Sequence, residues 1–410
     1  MDDPRKISIQ DFTYHLPESK IAFAPLEKRD DSKLLIYKND SIQADKFTNV
    51  TDYLPKESLL VFNNTKVINA RIKFTKSTGG VIEIFCLEPA EAISEYSTVM
   101  NQTGSARWKC LVGGVSKWKQ PFIEKEIEIG NLSVTLTAKI VGTLKDVFLI
   151  DFSWQPAAYS FAEIIEKAGV VPLPPYIKRE VEKDDSSRYQ TIYASNEGSV
   201  AAPTAGLHFT ESIFEKLKQK NIQSGFVTLQ VGAGTFKPVK AAVMNDHEMH
   251  AEWIEVSREA IEAILKKKDN VFAVGTTSLR TIESIYWLGV KAKIYPEENK
   301  LGLGQWDVYS EPLSGTTFTL EESLNALLGW LQLRNKERLF TQTQLLITPG
   351  YSFKVAKGLI TNFHQPQSTL LLLVATATKN RWRDLYDYAL ENDFRFLSYG
   401  DANLIFMAGS

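Results

Sequence analysis

Val271-Phe-Ala-Val-Gly-Thr-Thr-Ser-Leu-Arg280 is a short apolar run that stops at a glycine and turns straight into a helix. An unbroken apolar run bounded by a turn is the pattern of a strand buried on both faces. Thr276, Thr277 and Ser278 can then cap a helix that continues through Trp287. The same grammar recurs downstream. Leu359–Phe363 reads as a second buried strand, His364-Gln-Pro-Gln367 as its loop, and Ser368 as the N-cap of an apolar helix over Leu370–Ala377. These units predict an α/β class protein with a large α/β/α-type domain. In that architecture ligands bind beyond strand C-termini, where such loops gather.

One more loop belongs with these two. Gly198-Ser-Val-Ala-Ala-Pro-Thr-Ala-Gly-Leu-His-Phe-Thr210 carries small residues and two glycines into a single histidine. Backbone without bulky side chains can approach a ligand closely. Thr210 reads as an N-cap, Glu211 lies in the first turn, and Ile213, Phe214 and Leu217 share one face. The helix N-terminus favours an anion or a polar ligand edge, and His208 beside it could exchange protons near neutral pH. The structural alternative is a tight turn with a locally packed histidine. Asn63 and Asn64 are expected to hold a loop at the cleft wall. Gly232-Ala-Gly234 lacks the rest of a dinucleotide fingerprint, which argues against a nicotinamide or flavin site.

After Arg71 the pattern changes. Val81–Phe85, Trp108–Val112, Ile123–Ile129, Leu132–Ile140 and Val147–Phe152 read as strands, with glycine turns and no helices between them. Helical spacing resumes at Phe161. The expectation is a small β-barrel domain, residues 73–151, inserted in a discontinuous α/β catalytic domain formed by residues 1–72 and 152–410.

The 410 residues are enough for two or three domains at about 150 each. Cys86 and Cys110 are the only cysteines, which fits a reducing cytosol and apolar packing rather than a disulfide scaffold. The N-terminus lacks the order of a signal peptide, and no apolar run approaches the ~20 residues of a membrane span. A cytoplasmic protein without membrane contact is expected. With 47 basic against 49 acidic residues the net charge is −2, so a nucleic-acid partner would need a local basic patch. Lys66 with Arg71, Lys178 with Arg179, and Arg280 are the candidates.

Further blocks stand in a fixed order along the chain: Val61-Phe-Asn-Asn-Thr-Lys-Val-Ile-Asn-Ala-Arg71, Val171-Pro-Leu-Pro-Pro-Tyr-Ile-Lys-Arg179, Val227-Thr-Leu-Gln-Val-Gly-Ala-Gly-Thr-Phe236, Asp246-His-Glu-Met-His-Ala-Glu252 and Phe396-Leu-Ser-Tyr-Gly-Asp401. Together with the three loops, they closely resemble the S-adenosylmethionine:tRNA ribosyltransferase-isomerases of the queuosine pathway. The resemblance runs from about Asp11 to Phe406. It implies a β-barrel inserted in an α/β domain. It also implies transfer and isomerisation of the ribosyl part of S-adenosylmethionine onto a 7-aminomethyl-7-deazaguanine at the tRNA wobble position. The product is an epoxyqueuosine nucleoside, with release of adenine and methionine. S-adenosylmethionine is then a consumed co-substrate, with no other cofactor or metal. The tRNA anticodon loop is the partner, and the protein is expected to act as a monomer.

Such a reaction needs a base beside the sulfonium, an acid for adenine, a cation or N–H groups for methionine's carboxylate, and polar groups for ribose. His208 or His364 is the expected base, and Asp401 is expected to face ribose or sulfonium. Thr204, Gly206, Gln230, Gly232, Gly234, Thr235, His247, His250, Thr276, Arg280 and Asn362 are the expected substrate contacts. Lys66, Arg71, Lys178 and Arg179 are the expected RNA contacts.

The chain also departs from the family. Gln230 stands where histidine is usual and cannot exchange a proton at pH 7. Lys33 and Lys66 replace arginines, Ser187 replaces an acidic residue, and Lys357 stands where relatives carry aspartate. Gln365 and Gln367 alter the loop around His364, and a segment is added after Trp287, with Leu324, Leu327, Leu328 and Leu331 at helical spacing. Two rival readings follow. One is a paralogue that binds S-adenosylmethionine or RNA without this chemistry, suggested by Gln230. The other is a metal-dependent nucleoside hydrolase, which would use His247 and His250 with Glu252 or a distant residue as third ligand.

Overall fold

A computed structural model of the chain describes residues 3–76, 78–91, 95–145, 147–232, 239 and 241–407. In chain order the first strands are β1 (Lys33–Lys38), β2 (Ser41–Lys46), β3 (Leu59–Asn63), β4 (Thr65–Val67), β5 (Arg71–Thr75), β6 (Val81–Pro89), β7 (Ser105–Gly113), β8 (Ile123–Ile129) and β9 (Leu132–Leu144). They continue with β10 (Val147–Gln155), β11 (Gly169–Val170), β12 (Asn196–Ser199), β13 (Gln223–Leu229), β14 (Glu252–Ser257), β15 (Val271–Val274), β16 (Arg338–Thr343), β17 (Gly358–Asn362) and β18 (Ala402–Phe406). The longer helices are α1 (Phe161–Ala168), α2 (Glu211–Gln219), α3 (Arg258–Lys266), α4 (Thr276–Ile294), α5 (Leu320–Leu333), α6 (Thr369–Ala377) and α7 (Trp382–Glu391).

Nine strands form one mixed sheet in the order β16-β14-β13-β3-β15-β17-β18-β1-β2. Its centre is parallel: β13, β3, β15 and β17 all run the same way. Strand alternation sorts side chains into two cores. Leu59, Val61, Val271 and Ala273 point to one face, where α3, α4, α5, α6 and α7 pack. Leu60, Phe62, Phe272 and Val274 point to the other, against Ile213 and Leu217 of α2. This period-two division is why the central strands read as unbroken apolar runs. The result is a helix–sheet–helix sandwich, as the strand–loop–helix units require.

Seven strands form a second, antiparallel sheet in the order β11-β5-β6-β7-β10-β9-β8. It curls around its own apolar cluster, centred on Trp108, Phe152 and Trp154 with Phe161 and Ile165 of α1. The sheet stays open in hydrogen bonding. Its edges β8 and β11 are bridged by Lys125, whose Nζ donates to the Ala168 carbonyl at 2.7 Å. It draws on Arg71 at one end and Val170 at the other. All five strands anticipated between Val81 and Phe152 are present, each at or near its expected limits. Cys86 and Cys110 are register partners, buried and free.

α4 runs past Trp287 to Ile294 and stops at Tyr295-Pro296, since the residue before a proline leaves the helical region. It is buried nearly all round because α5, from the added segment, lies across it. At the crossing, a Cβ on Gly289 would sit 2.2 Å from the Ser323 carbonyl oxygen, so only glycine permits the approach. Leu324, Leu327 and Leu331 are buried in that contact and Leu328 packs beside them. The stripe is therefore core. Among the described residues no helix is long and apolar enough to cross a membrane.

Candidate active site

Three of the four central parallel strands end at one cleft, open to solvent, with about 780 Å³ of empty space. Val231 follows β13, Gly275, Thr276 and Thr277 follow β15, and Thr361 to His364 close β17. The Ala201–Ala205 backbone forms one wall, and Tyr176 and Ser398 another. Asn63, at the end of β3, ties these ends together. Its Nδ2 donates to the Leu229 carbonyl at 3.0 Å and to Thr277 Oγ1 at 3.2 Å, while its Oδ1 accepts from the Leu229 N–H at 3.0 Å. Asn64 Oδ1 accepts from Thr228 Oγ1 at 2.7 Å. Asn63 holds the wall through Thr277, as anticipated, whereas the partners of Asn64 lie outside the cleft lining.

None of the described lining residues is Lys, Arg, Asp or Glu. The cleft's polarity comes from backbone, hydroxyls, amides and one imidazole. Two helices of adequate length begin there. α4 starts after Gly275, whose φ of +89° suits glycine, and no side chain caps its first N–H groups. α6 starts after Ser368, whose hydroxyl accepts from the Leu371 N–H at 3.2 Å. Helix N–H groups without a side-chain cap give a cleft a preference for anionic or acceptor groups.

His364 sits on the cleft wall, partly exposed. Its backbone is clamped: the N–H donates to Tyr386 Oη at 3.0 Å and the carbonyl accepts from Tyr14 Oη at 2.5 Å. Its Nε2 lies 3.0 Å from Thr361 Oγ1, and no other ring contact exists among the described residues. Desolvation lowers its pKa, so the ring is neutral at pH 7. Nδ1 is left for whatever occupies the cleft.

His208 ends in the opposite setting. It closes a short 3-10 turn, Thr204–His208, and is buried against the Phe47 ring at 4.9 Å. Asn362 Nδ2 donates to the carbonyls of Leu397 and Ser398, which leaves Asn362 Oδ1 to accept from His208 Nε2 at 3.3 Å. A neutral ring has one N–H, so Nδ1 accepts from Ser32 Oγ at 2.8 Å. Burial lowers the ring to about 4, against the raising effect of Asp401 and Asn362. His208 thus braces a cleft residue without lining the cleft. The α2 N-terminus turns away as well: Thr210 Oγ1 caps Ile213 and donates to Asp30.

Of the expected site residues, Thr204, Thr276, Asn362 and His364 meet in this cleft. Asp401 does not. It is 2% exposed and accepts from the N–H groups of Lys33 at 3.0 Å and Arg395 at 2.7 Å, so it fixes a chain turn. Gly206 packs under Tyr193, whose Oη would lie 1.9 Å from an added Cβ. Gln230 spans two strands instead of facing the cleft: Oε1 accepts from Thr65 Oγ1 at 2.6 Å and Nε2 donates to the Glu197 carbonyl at 3.2 Å. Arg280 is buried in an ion pair with Glu252 and donates to the Leu345 carbonyl at 3.0 Å. That pair removes both Arg280 as a carboxylate clamp and Glu252 as a metal ligand. His247 is half-buried, its pKa lowered by desolvation and by His250, and neither histidine lines the cleft. Among the described residues no group of three metal-ligating side chains exists. Gly232 follows Val231 but does not line the cleft; Gly234 and Thr235 lie outside the described residues.

The expected RNA contacts all have acidic partners. Lys66 meets Glu197 at 2.8 Å, Arg71 meets Glu83 at 2.9 Å, and Lys178 meets Glu18 at 3.3 Å. Arg179 grips Asp185 with both arms, at 2.6 and 2.7 Å. Tyr176 and Ser398 were legible only as members of sequence blocks chosen for their neighbours, Lys178 and Asp401. Nothing in their spacing marks them as cleft residues.

Comparison with known proteins adds a second kind of finding. Residues 9–405 match the profile of a family described as Queuosine biosynthesis protein. A Halothermothrix orenii protein named S-adenosylmethionine:tRNA ribosyltransferase-isomerase is 38% identical, covering 97% of this chain and 100% of its own. One of the same name from Finegoldia magna is 36% identical, over 97% and 98%. A crystal structure of a Thermotoga maritima S-adenosylmethionine tRNA ribosyltransferase is 27% identical over 97% of this chain, with a TM-score of 0.46.

Proposed function

This chain belongs to the queuosine biosynthesis protein family, and from that premise we propose that it is an S-adenosylmethionine:tRNA ribosyltransferase-isomerase acting through the cleft above. It moves the ribosyl part of S-adenosylmethionine to 7-aminomethyl-7-deazaguanine at the tRNA wobble position and rearranges it to the epoxycyclopentanediol, releasing adenine and methionine. The carrying observation is a cleft at parallel strand ends whose described lining residues are uncharged, with two helix N-termini and a lining histidine that commits only Nε2 to a hydrogen bond.

In this reading the N–H groups opening α4 receive methionine's carboxylate, since none of the described lining residues is an arginine or lysine. Thr204, Thr276 and Asn362 hold ribose or adenine through short polar groups. The Tyr176 ring offers its face to the sulfonium or to the extruded base. His364 is the base: donating Nε2–H to Thr361 frees Nδ1 for the proton made acidic by the sulfonium. Gln230, bonded internally at both ends of its amide, takes no part in proton transfer.

The curled sheet, with strands from Arg71 to Gln155 and at Gly169–Val170 and with α1 packed on it, acts as a domain inserted in the catalytic α/β domain, wider than the expected residues 73–151. The protein works in the cytoplasm as a monomer, consuming S-adenosylmethionine without a bound cofactor. Light scattering on the purified protein tests the monomer. The main test is incubation with S-adenosylmethionine and precursor tRNA, following adenine release and the epoxyqueuosine nucleoside. Adenine at background, while a relative turns over in parallel, would refute the activity.

A further inference from the structure

We propose that a second, smaller pocket, bounded by Arg29, Arg188 and Arg395 beside the cleft, seats a backbone phosphate of the RNA substrate. The inference rests on the reading of the chain as a tRNA-acting enzyme and adds to it a place on the protein for RNA charge.

The pocket holds about 300 Å³ of empty space, open to solvent. Ser398 lines both it and the cleft, and His208, which lines the pocket, braces Asn362 on the cleft side. One layer of side chains therefore separates the two. Their electrostatics differ sharply. Among the described residues the cleft has no formally charged lining residue, whereas the pocket has three guanidinium groups.

Two of those charges are uncompensated. Arg29 donates to the carbonyls of Gln190 at 2.6 Å and Ser187 at 2.7 Å, and Arg188 donates to the carbonyls of Glu27 at 3.1 Å and Leu26. Carbonyls orient a guanidinium without neutralising it. Neither arginine has a carboxylate partner among the described residues, unlike Lys66, Arg71, Lys178 and Arg179. Arg395 is paired with Asp401 at 3.2 Å. Three positive charges against one negative leave an excess of two. Asp30 accepts from Thr210 and lies outside the pocket lining. Burial and the neighbouring Arg188 both lower the Arg29 pKa, the direction expected where like charges face without a counter-ion. A guanidinium offers five donors, so the two bonds made by each arginine leave donors for a ligand.

A forked, cationic, solvent-open pocket suits phosphate oxygens. Its position suits a nucleotide whose base enters the neutral cleft while the adjoining phosphodiester stays at the rim, where phosphate contacts set register. Methionine's carboxylate has the α4 N-terminus within the cleft itself.

The test is binding of a 17-nucleotide anticodon stem-loop, measured by fluorescence anisotropy across a salt series. Arg29→Gln and Arg188→Gln should each weaken binding about 10-fold and reduce the slope of log K against log salt by about one, with S-adenosylmethionine affinity unchanged. Because these arginines also lace two loops, phenylglyoxal labelling of the unaltered protein supplies an independent readout. The stem-loop should slow modification of Arg29 and Arg188, and S-adenosylmethionine should not. An unchanged salt slope in variants of normal Tm overturns the proposal, as does shielding by S-adenosylmethionine in place of RNA. If adenine release persists in that case, only the phosphate seat fails. If the unaltered protein binds no stem-loop, the tRNA reading fails with it.

Discussion

His208 and His364 each lie on a loop that leads into a helix, and from the chain alone they are equal candidates for the same task. The folded protein separates them. His364 keeps one ring nitrogen uncommitted at the cleft wall, its backbone clamped by Tyr14 and Tyr386. His208 spends both nitrogens on Ser32 and Asn362 and packs at a tilt against Phe47. One histidine is placed to exchange a proton and the other to keep Asn362 in position. A loop before a helix supplies an address, but hydrogen-bond partners decide the work done there.

The largest effect should come from His364→Ala. Adenine release should fall about 100-fold or more while S-adenosylmethionine still binds, because a base is lost and the cleft remains. Single-turnover kinetics with calorimetry would measure both, and near-normal turnover would return the base to His208 and erase the contrast.

His208→Ala should act first on stability. It leaves Ser32 and the Asn362 amide oxygen without a buried partner, at a cost of about 1–3 kcal/mol for each group left unpaired. Urea denaturation reads that loss. Turnover should fall less than for His364→Ala; an equal or larger loss at unchanged stability would break the distinction.

Acidification sharpens the same comparison. In the unfolded chain an ordinary imidazole binds a proton below pH 6.5, whereas native His208 resists it until about 4. The unfolded state therefore gains protons first, and stability should decline as pH falls from 6.5 toward 4. The slope for this ring is up to about 1.4 kcal/mol per pH unit. Midpoints at pH 7 and 5 should lie closer together in His208→Gln than in the unaltered protein. An unchanged difference would show that the ring is no burden at low pH.

The smallest effect is expected at Gln230→His. A neutral histidine can still accept from Thr65 and donate to the Glu197 carbonyl, so stability should shift by less than about 1 kcal/mol. Adenine release should change only a few-fold. A rise well beyond that would mean that a proton-exchanging group at this position reaches the reaction after all.

What could be read before folding was what local chemistry enforces. The run Val271–Gly275 located β15 and the start of α4, although Thr276, Thr277 and Ser278 lie inside that helix and do not cap it, whereas Ser368 and Thr210 cap the helices that follow them. The helical spacing of Leu324, Leu327, Leu328 and Leu331 likewise marked the helix Leu320–Leu333. Arg280, Asp401 and Gln230 were harder, because a polar residue in a motif looks the same whether it meets a ligand or a buried protein group. Arg280 finds Glu252 across the fold, and Asp401 finds Lys33. Arg29 and Arg188 carried no signal at all, since their significance is the absence of such a partner.

Spacing along the chain thus determined the elements, their order and the loops that meet at the parallel strand ends. Hydrogen bonding, hydrophobic period and capping act over a few residues, so they are written locally. Which side chain faces the cleft was decided only in three dimensions. The groups that satisfy or spare each one, Ser32 and Asn362 for His208 against Thr361 alone for His364, are brought there by packing, often from more than a hundred residues away.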